Sequence, residues 1–143
     1  MTRTMLLLAG AMLVAGVSTA SAETIKLVER ATTDAVTDTG ASGDSAGDLL
    51  TFANELYDEK NAKLVGTDNG WCIRTVSGKA WECSWTLSLA DGQLMVQGPF
   101  LDAGDSVLAV TGGTGRYAKA RGEMKLHARD AKGSEYDFVY VLK

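Results

Sequence analysis

"VTGGTGRYAKARG", Val110 to Gly122, decides the fold. Three glycines within four residues either wrap a phosphate with backbone N–H groups or turn the chain between two strands. A P-loop ends in Gly-Lys-Ser/Thr, and the dinucleotide form opens a helix inside a βαβ unit. Here Arg116 to Arg121 are too few residues for a crossover helix, and the alternating "EMKLHA" follows at once. A parallel sheet would need crossovers that this chain lacks. The stretch therefore reads as a turn, with Gly112, Gly113 and Gly115 taking backbone angles that a side chain would forbid.

On either side of that turn the chain alternates with period two. "QLMVQGPF", "DSVLAVT", "GEMKLHARD" and "SEYDFVYVL" are short strands separated by Gly- and Asp-rich turns. Met124, Leu126 and Ala128 oppose Lys125, His127 and Arg129, and Tyr136, Phe138 and Tyr140 oppose Asp137, as on a half-buried strand. "WCIRTV", "SGKA" and "WECSWTLSLADG" form the clearest local unit. Trp81, Cys83, Trp85, Leu87 and Leu89 share one face, and Ser77-Gly78 closes a two-residue hairpin turn. That register sets Cys72 opposite Cys83 and Arg74 opposite Trp81, both pairs on the Trp face. Earlier, "ETIKLVER" is a strand and residues 31–47, rich in Thr, Asp, Ser and Gly, are a long loop. "GDLLTFANELYD" resumes a strand, with Leu50, Phe52, Asn54 and Leu56 on one face. Sixteen glycines, one proline and no sustained helical period predict a single all-β domain, a barrel or a sandwich.

The first residues carry an export pattern: Arg3, an apolar run from Met5 to Val17, and the small-x-small site Ala20-Ser21-Ala22. Residues 1–22 are accordingly expected to be a secretory signal peptide cleaved near Ala22. Residues 23–143 would then form the domain, secreted or periplasmic, with no stable membrane insertion. This mature part holds 13 basic and 18 acidic residues, a net charge of −5. Mild acidity without a basic cluster argues against nucleic acid as a partner. In an oxidising compartment Cys72 and Cys83 can form a disulfide. Two cysteines and the distant His127 do not make a zinc site, so neither metal nor cofactor is expected.

"GDLLTFANELYD", "VG…GWC", "VQGPF" and "LAVTGGTGRYAKARG" occur in the order and spacing found in allene oxide cyclases, and the "VTGGTG" element also resembles plant dirigent proteins. The resemblance runs from about Gly47 to the C-terminus. It implies a closed, antiparallel, eight-stranded β-barrel with an apolar cavity, often trimeric in plants. Cyclases of this kind fold a fatty-acid epoxide into a cyclopentenone, and dirigent proteins orient phenoxy-radical coupling or related ring closures.

The resemblance also implies roles for particular residues. Asn54 matches an asparagine that helps hold water against the epoxide oxygen, and Cys72 matches a cavity cysteine. The aromatic after "QGP" is tyrosine in the plant cyclases and Phe100 here. The plant first strand has a glutamate, an asparagine and a Ser-Pro pair, of which only Glu29 has a candidate counterpart. From the residues themselves, Asn54 on an apolar face is either a ligand contact or bonded to nearby backbone. Glu29 either sits in water at its strand end or lies inward, where Arg74 is the cation available to pair with it. His127 is expected in solvent.

Three functions stay open. One is a pocket for a small apolar molecule, fatty-acid-like or phenolic, whose cyclisation or isomerisation the barrel guides by imposing a reactive conformation. Phe52, Asn54, Cys72, Arg74, Trp81, Trp85, Phe100 and Phe138 would line it, with Glu29, Asn54 and Arg74 as candidate catalytic groups. Another is a non-catalytic exported module with a self-filled barrel. The third uses the outside: Trp71 and Ile73 point away from the cavity and would join copies into a trimer or dimer.

Overall fold

The computed structural model describes residues 22–143, so the signal-peptide segment expected at residues 1–22 lies, but for Ala22, outside them. Nine strands follow in order: β1 (Glu23–Arg30), β2 (Ala35–Thr37), β3 (Leu49–Asp58), β4 (Leu64–Val76), β5 (Ala80–Leu89), β6 (Gly92–Leu101), β7 (Ser106–Gly115), β8 (Gly122–Ala128) and β9 (Glu135–Leu142). No helix occurs among the described residues. From β3 to β9 each strand pairs antiparallel with the next, β9 pairs with β1, and β1 pairs back to β3. Eight strands thus close a ring, which leaves no long free edge.

The ninth strand exists because the first is broken. β1 and β2 both pair with β3, with Arg30 opposite Glu55 and Ala35 opposite Thr51. Four residues, 31–34, therefore face three, 52–54. An extra residue on one side of a ladder bends the strand and re-aims its side chains, and here it turns Asp34 into the barrel's mouth.

The hairpin register expected around Ser77-Gly78 is the one observed: Cys72 faces Cys83 and Arg74 faces Trp81. Cys72 and Cys83 form a disulfide with their Cα atoms 4.0 Å apart. The stretch from Val110 is a strand end and a turn, as expected, but its glycines are not equivalent. Gly115 has φ +57°, and a Cβ on Gly113 would sit 2.2 Å from the carbonyl of Gln93. Gly112 and Gly113 have no positive φ, so the backbone angles expected there do not occur, and a Cβ on Gly112 would meet only Arg121 Nη1 at 3.5 Å, an ordinary contact.

Two ends of the barrel differ in filling. At one end Leu56, Leu87, Leu94, Met124 and Tyr140 are completely buried, and Tyr117 from the β7–β8 turn closes the bottom. Each such side chain contributes about 1.5–3 kcal/mol by leaving water. At the other end lie the β4–β5, β6–β7 and β8–β9 turns and the long loop 31–48. There the packing opens.

Candidate functional site

The opening is a slot walled by Leu50, Phe52, Trp85, Phe100, Leu126 and Phe138. Trp85 stacks on Phe138 at 5.8 Å and meets the edge of Phe52 at 5.9 Å. This convergence needs Gly70, which pairs with both Phe52 and Trp85; a Cβ there would lie 2.3 Å from the Cβ of Trp85. The Cys72–Cys83 disulfide forms part of the floor, and Glu29, Asp34 and Tyr136 supply the polar rim. The slot encloses about 40 Å³, within about 370 Å³ of open space counted out to its mouth.

Alternation along three adjacent strands brings Glu29, Asn54 and Asp68 together inside the ring. All three are buried. Asn54 is the hub. Its carbonyl accepts the N–H groups of Thr32 and Thr33 and the hydroxyl of Thr33, at 3.1, 3.0 and 2.8 Å. Its amide donates to Glu29 Oε1 and to Asp34 Oδ1, each at 2.8 Å. One side chain therefore fixes the break between β1 and β2 and orients two carboxylates. Of the two possibilities open for Asn54 in the sequence, the structure shows the bond to nearby backbone: its oxygen and its amide nitrogen are engaged within the protein, and it does not line the slot.

Neither carboxyl oxygen of Asp68 has a hydrogen-bond partner among the described residues. The Glu29 carboxyl is its charged neighbour, and two ionised carboxylates repel each other in a buried site, so the pair favours holding a proton. Burial drives both upward. Asp68 is pushed to about 9, first by desolvation and then by the charge of Glu29. Glu29 is pushed to about 7 by desolvation, against the hydrogen bond from Asn54 that favours its charged form. At neutral pH Asp68 keeps its proton beside Glu29. The Tyr136 hydroxyl is likewise raised, to about 12, chiefly by desolvation.

The cation available to Glu29 is engaged elsewhere. Arg74 is buried, yet its Nε lies 2.6 Å from Asp44 and its Nη1 2.6 Å from Asp102. Its guanidinium lies over the Trp81 ring at 4.0 Å. The Glu29–Arg74 pair expected from the sequence does not form, because Arg74 sits at the hairpin tip, where the loop and the β6–β7 turn bring carboxylates closer. Arg74 and Trp81 thus clamp the rim, and neither lines the slot. Asp44 adds bonds from Gly78 N and Ser77 Oγ, at 2.6 and 2.8 Å, tying the loop to the hairpin. His127 is in solvent, bonded to Asp105 at 2.7 Å, which raises its pKa. Trp71 and Ile73 point outward, 43% and 41% exposed.

Two residues of this arrangement escape sequence reasoning. Asp34 lies in a stretch that reads as featureless loop. Asp68 lies in "GTDNG", whose composition is that of a turn, although β4 runs through it. The signal that finds Asp68 is parity: it is two and four positions from Gly70 and Cys72, and so shares their face.

Solved structures share this architecture. A pyocyanin demethylase is 28% identical, with a TM-score of 0.75 over 85% of this chain and 100% of that one. A pterocarpan synthase dirigent protein is 15% identical, with a TM-score of 0.66 over 85% of this chain and 93% of that one. The Diels–Alderase AbmU from Streptomyces koyangensis is 18% identical, with a TM-score of 0.71 over 85% of this chain and 63% of that one. Below 25% identity such likeness shows a shared barrel. Residues 16–130 match the family model described as allene oxide cyclase, which covers most of the sequence. By that match, and by the closed barrel it comes with, the chain belongs to the allene oxide cyclase family.

Proposed function

We propose that this is an exported barrel that binds a small, largely apolar molecule in the aromatic slot and guides its cyclisation or isomerisation. The observation that carries the reading is the joining of that slot to a proton-holding carboxylate pair. Apolar walls with a few placed polar groups are the ordinary composition of a small-molecule site. Glu29 faces the slot, with Asp68 behind it as the proton store. In an isomerisation the pair lends its proton to a ligand oxygen or nitrogen and takes one back from the rearranging skeleton, so no net proton is consumed. A group poised near the working pH is suited to that exchange. The stacked rings of Trp85 and Phe138 hold the skeleton in a reactive conformation.

The structural relatives support a small-molecule substrate: one is a demethylase of pyocyanin, and others catalyse or direct ring formation. Fatty-acid-like and phenolic ligands both offer the apolar surface that such a wall takes up. The disulfide supports an oxidising destination, outside the cell or in a periplasm. The exposed Trp71 and Ile73 support association of copies as a dimer or trimer.

The slender volume of the slot favours a second reading, a non-catalytic module whose barrel is nearly self-filled. Tryptophan fluorescence separates the two. Pyocyanin, a long-chain unsaturated fatty acid and a simple phenolic would each be titrated against the wild type and Trp85→Phe. The proposal expects at least one ligand to shift or quench emission, and Trp85→Phe to abolish the change while Trp71 and Trp81 still fluoresce. No response to any of the three would leave the self-filled barrel.

A further inference from the structure

A second hollow lies against the slot, and three side chains divide the two. Phe100, Leu126 and Tyr136 present surface to both spaces. The outer hollow is bounded beyond them by Leu101, Asp102, Gly104, Ala128 and the β8–β9 turn from Asp130 to Gly133. It holds about 350 Å³, against about 40 Å³ in the slot. The slot as it stands has room for only about three waters, so any fused-ring ligand must move a wall.

The wall that can move is the divider. Phe100 and Tyr136 meet edge to face, with ring centroids 5.9 Å apart and planes at 80°. Both are half-buried, whereas Trp85 and Phe138 on the far wall are buried and stacked on each other. The Tyr136 hydroxyl makes no hydrogen bond among the described residues, so no polar tether resists its rotation. The outer hollow offers the space into which both rings can swing. Two of its charged groups are already committed, Asp102 to Arg74 and Asp130 to the N–H groups of Lys132 and Ser134. Lys132 and the turn backbone give the hollow polar surface, and Leu101, Leu126, Ala128 and the two rings give it an apolar side.

We infer that the outer hollow is a second subsite, continuous with the slot once Phe100 and Tyr136 swing aside, and that it takes the apolar tail of a ligand whose flat head lies against Trp85. The ligand class is an aromatic or conjugated head carrying an alkyl or acyl chain, and the Phe100–Tyr136 divider sets the length accepted. This rests on the reading of the slot as a binding site, and goes beyond it by naming the shape of the molecule.

The test uses 6-acyl-2-dimethylaminonaphthalenes bearing acetyl, propionyl or hexanoyl chains. These share one fluorescent head and differ in tail alone. With the wild type, affinity should rise about threefold for each methylene that reaches the outer hollow. Ala128→Trp fills that hollow from the position opposite Tyr136. Because every fused-ring head must push the divider into that space, it should weaken all three probes, and hexanoyl at least tenfold more than acetyl. Leu101→Trp, on the opposite side of the same hollow, repeats the test should Ala128→Trp fold poorly. Equal affinity for all three chains, or equal weakening of all three by the tryptophans, would overturn the subsite while leaving the slot intact. Failure of even the acetyl compound to bind would overturn both.

Discussion

Asn54 and Asp68 do work that neither could do on the surface. Asn54 satisfies two backbone donors at the break in the first strand and holds Glu29 and Asp34 in place. Asn54→Ala leaves the N–H groups of Thr32 and Thr33 without their acceptor, and should cost about 2–4 kcal/mol in urea unfolding. It also removes the bond that favours the Glu29 carboxylate, so Glu29 should titrate still higher. Asp68 makes the opposite kind of contribution, because its pKa is raised above that of the unfolded chain. The folded state then binds more protons than the unfolded state, so this stabilisation is complete below the unfolded value and fades as pH rises through the folded one. Wild-type stability should therefore fall as pH climbs from about 7 to about 9. Asp68→Asn keeps the shape without the carboxyl, and its urea midpoint should change distinctly less over the same interval. An unaltered slope in the variant would show that the ionising group is another one.

At the scale of elements, the β4–β5 hairpin and the long loop are held by different devices. The disulfide joins directly opposed residues only 11 apart in sequence, so it closes a short loop. Replacing both cysteines by serine should lower stability by about 2 kcal/mol, the low end for disulfides, with the strand register kept. Arg74 works through ion pairs. It reaches Asp44 in the loop and Asp102 in the β6–β7 turn, and Asp44 in turn holds Ser77 and Gly78. Arg74→Met keeps the stem over Trp81 and removes the charge. Hydrogen exchange should then accelerate across residues 38–47 while β4 and β5 stay protected; uniform acceleration would mean that Arg74 supports the whole barrel. Elements such as the hairpin were legible in the sequence because alternation and turn chemistry agree there. Where they conflict, the reading stops. "GTDNG" carries turn residues inside a strand, since its glycines make room for the Trp85 side chain and the Ser88 carbonyl. Asp34 is turned inward by a bulge that no local pattern announces, and the partners of Arg74 come from segments 28 and 30 residues away.

The whole molecule is a barrel filled at one end and open at the other, with a buried acidic group where the two regimes meet. Closing the sheet settles the fold, which alternation and the order of the motifs had already indicated. It also creates what the sequence could not display, because Glu29, Asn54 and Asp68 become neighbours only when β1, β3 and β4 lie side by side in the ring. The proton held within that group is the centre of the account, and it can be observed directly. Carbon-13 labelling of the aspartate and glutamate carboxyls, followed by NMR titration with Asp68→Asn and Glu29→Gln for assignment, reports each protonation. The account predicts two linked transitions far above the ordinary carboxylate range, at about 7 and about 9, with the remaining one moving when either residue is replaced. Carboxyl resonances for Glu29 and Asp68 that both titrate independently near 4, as in solvent, would contradict it.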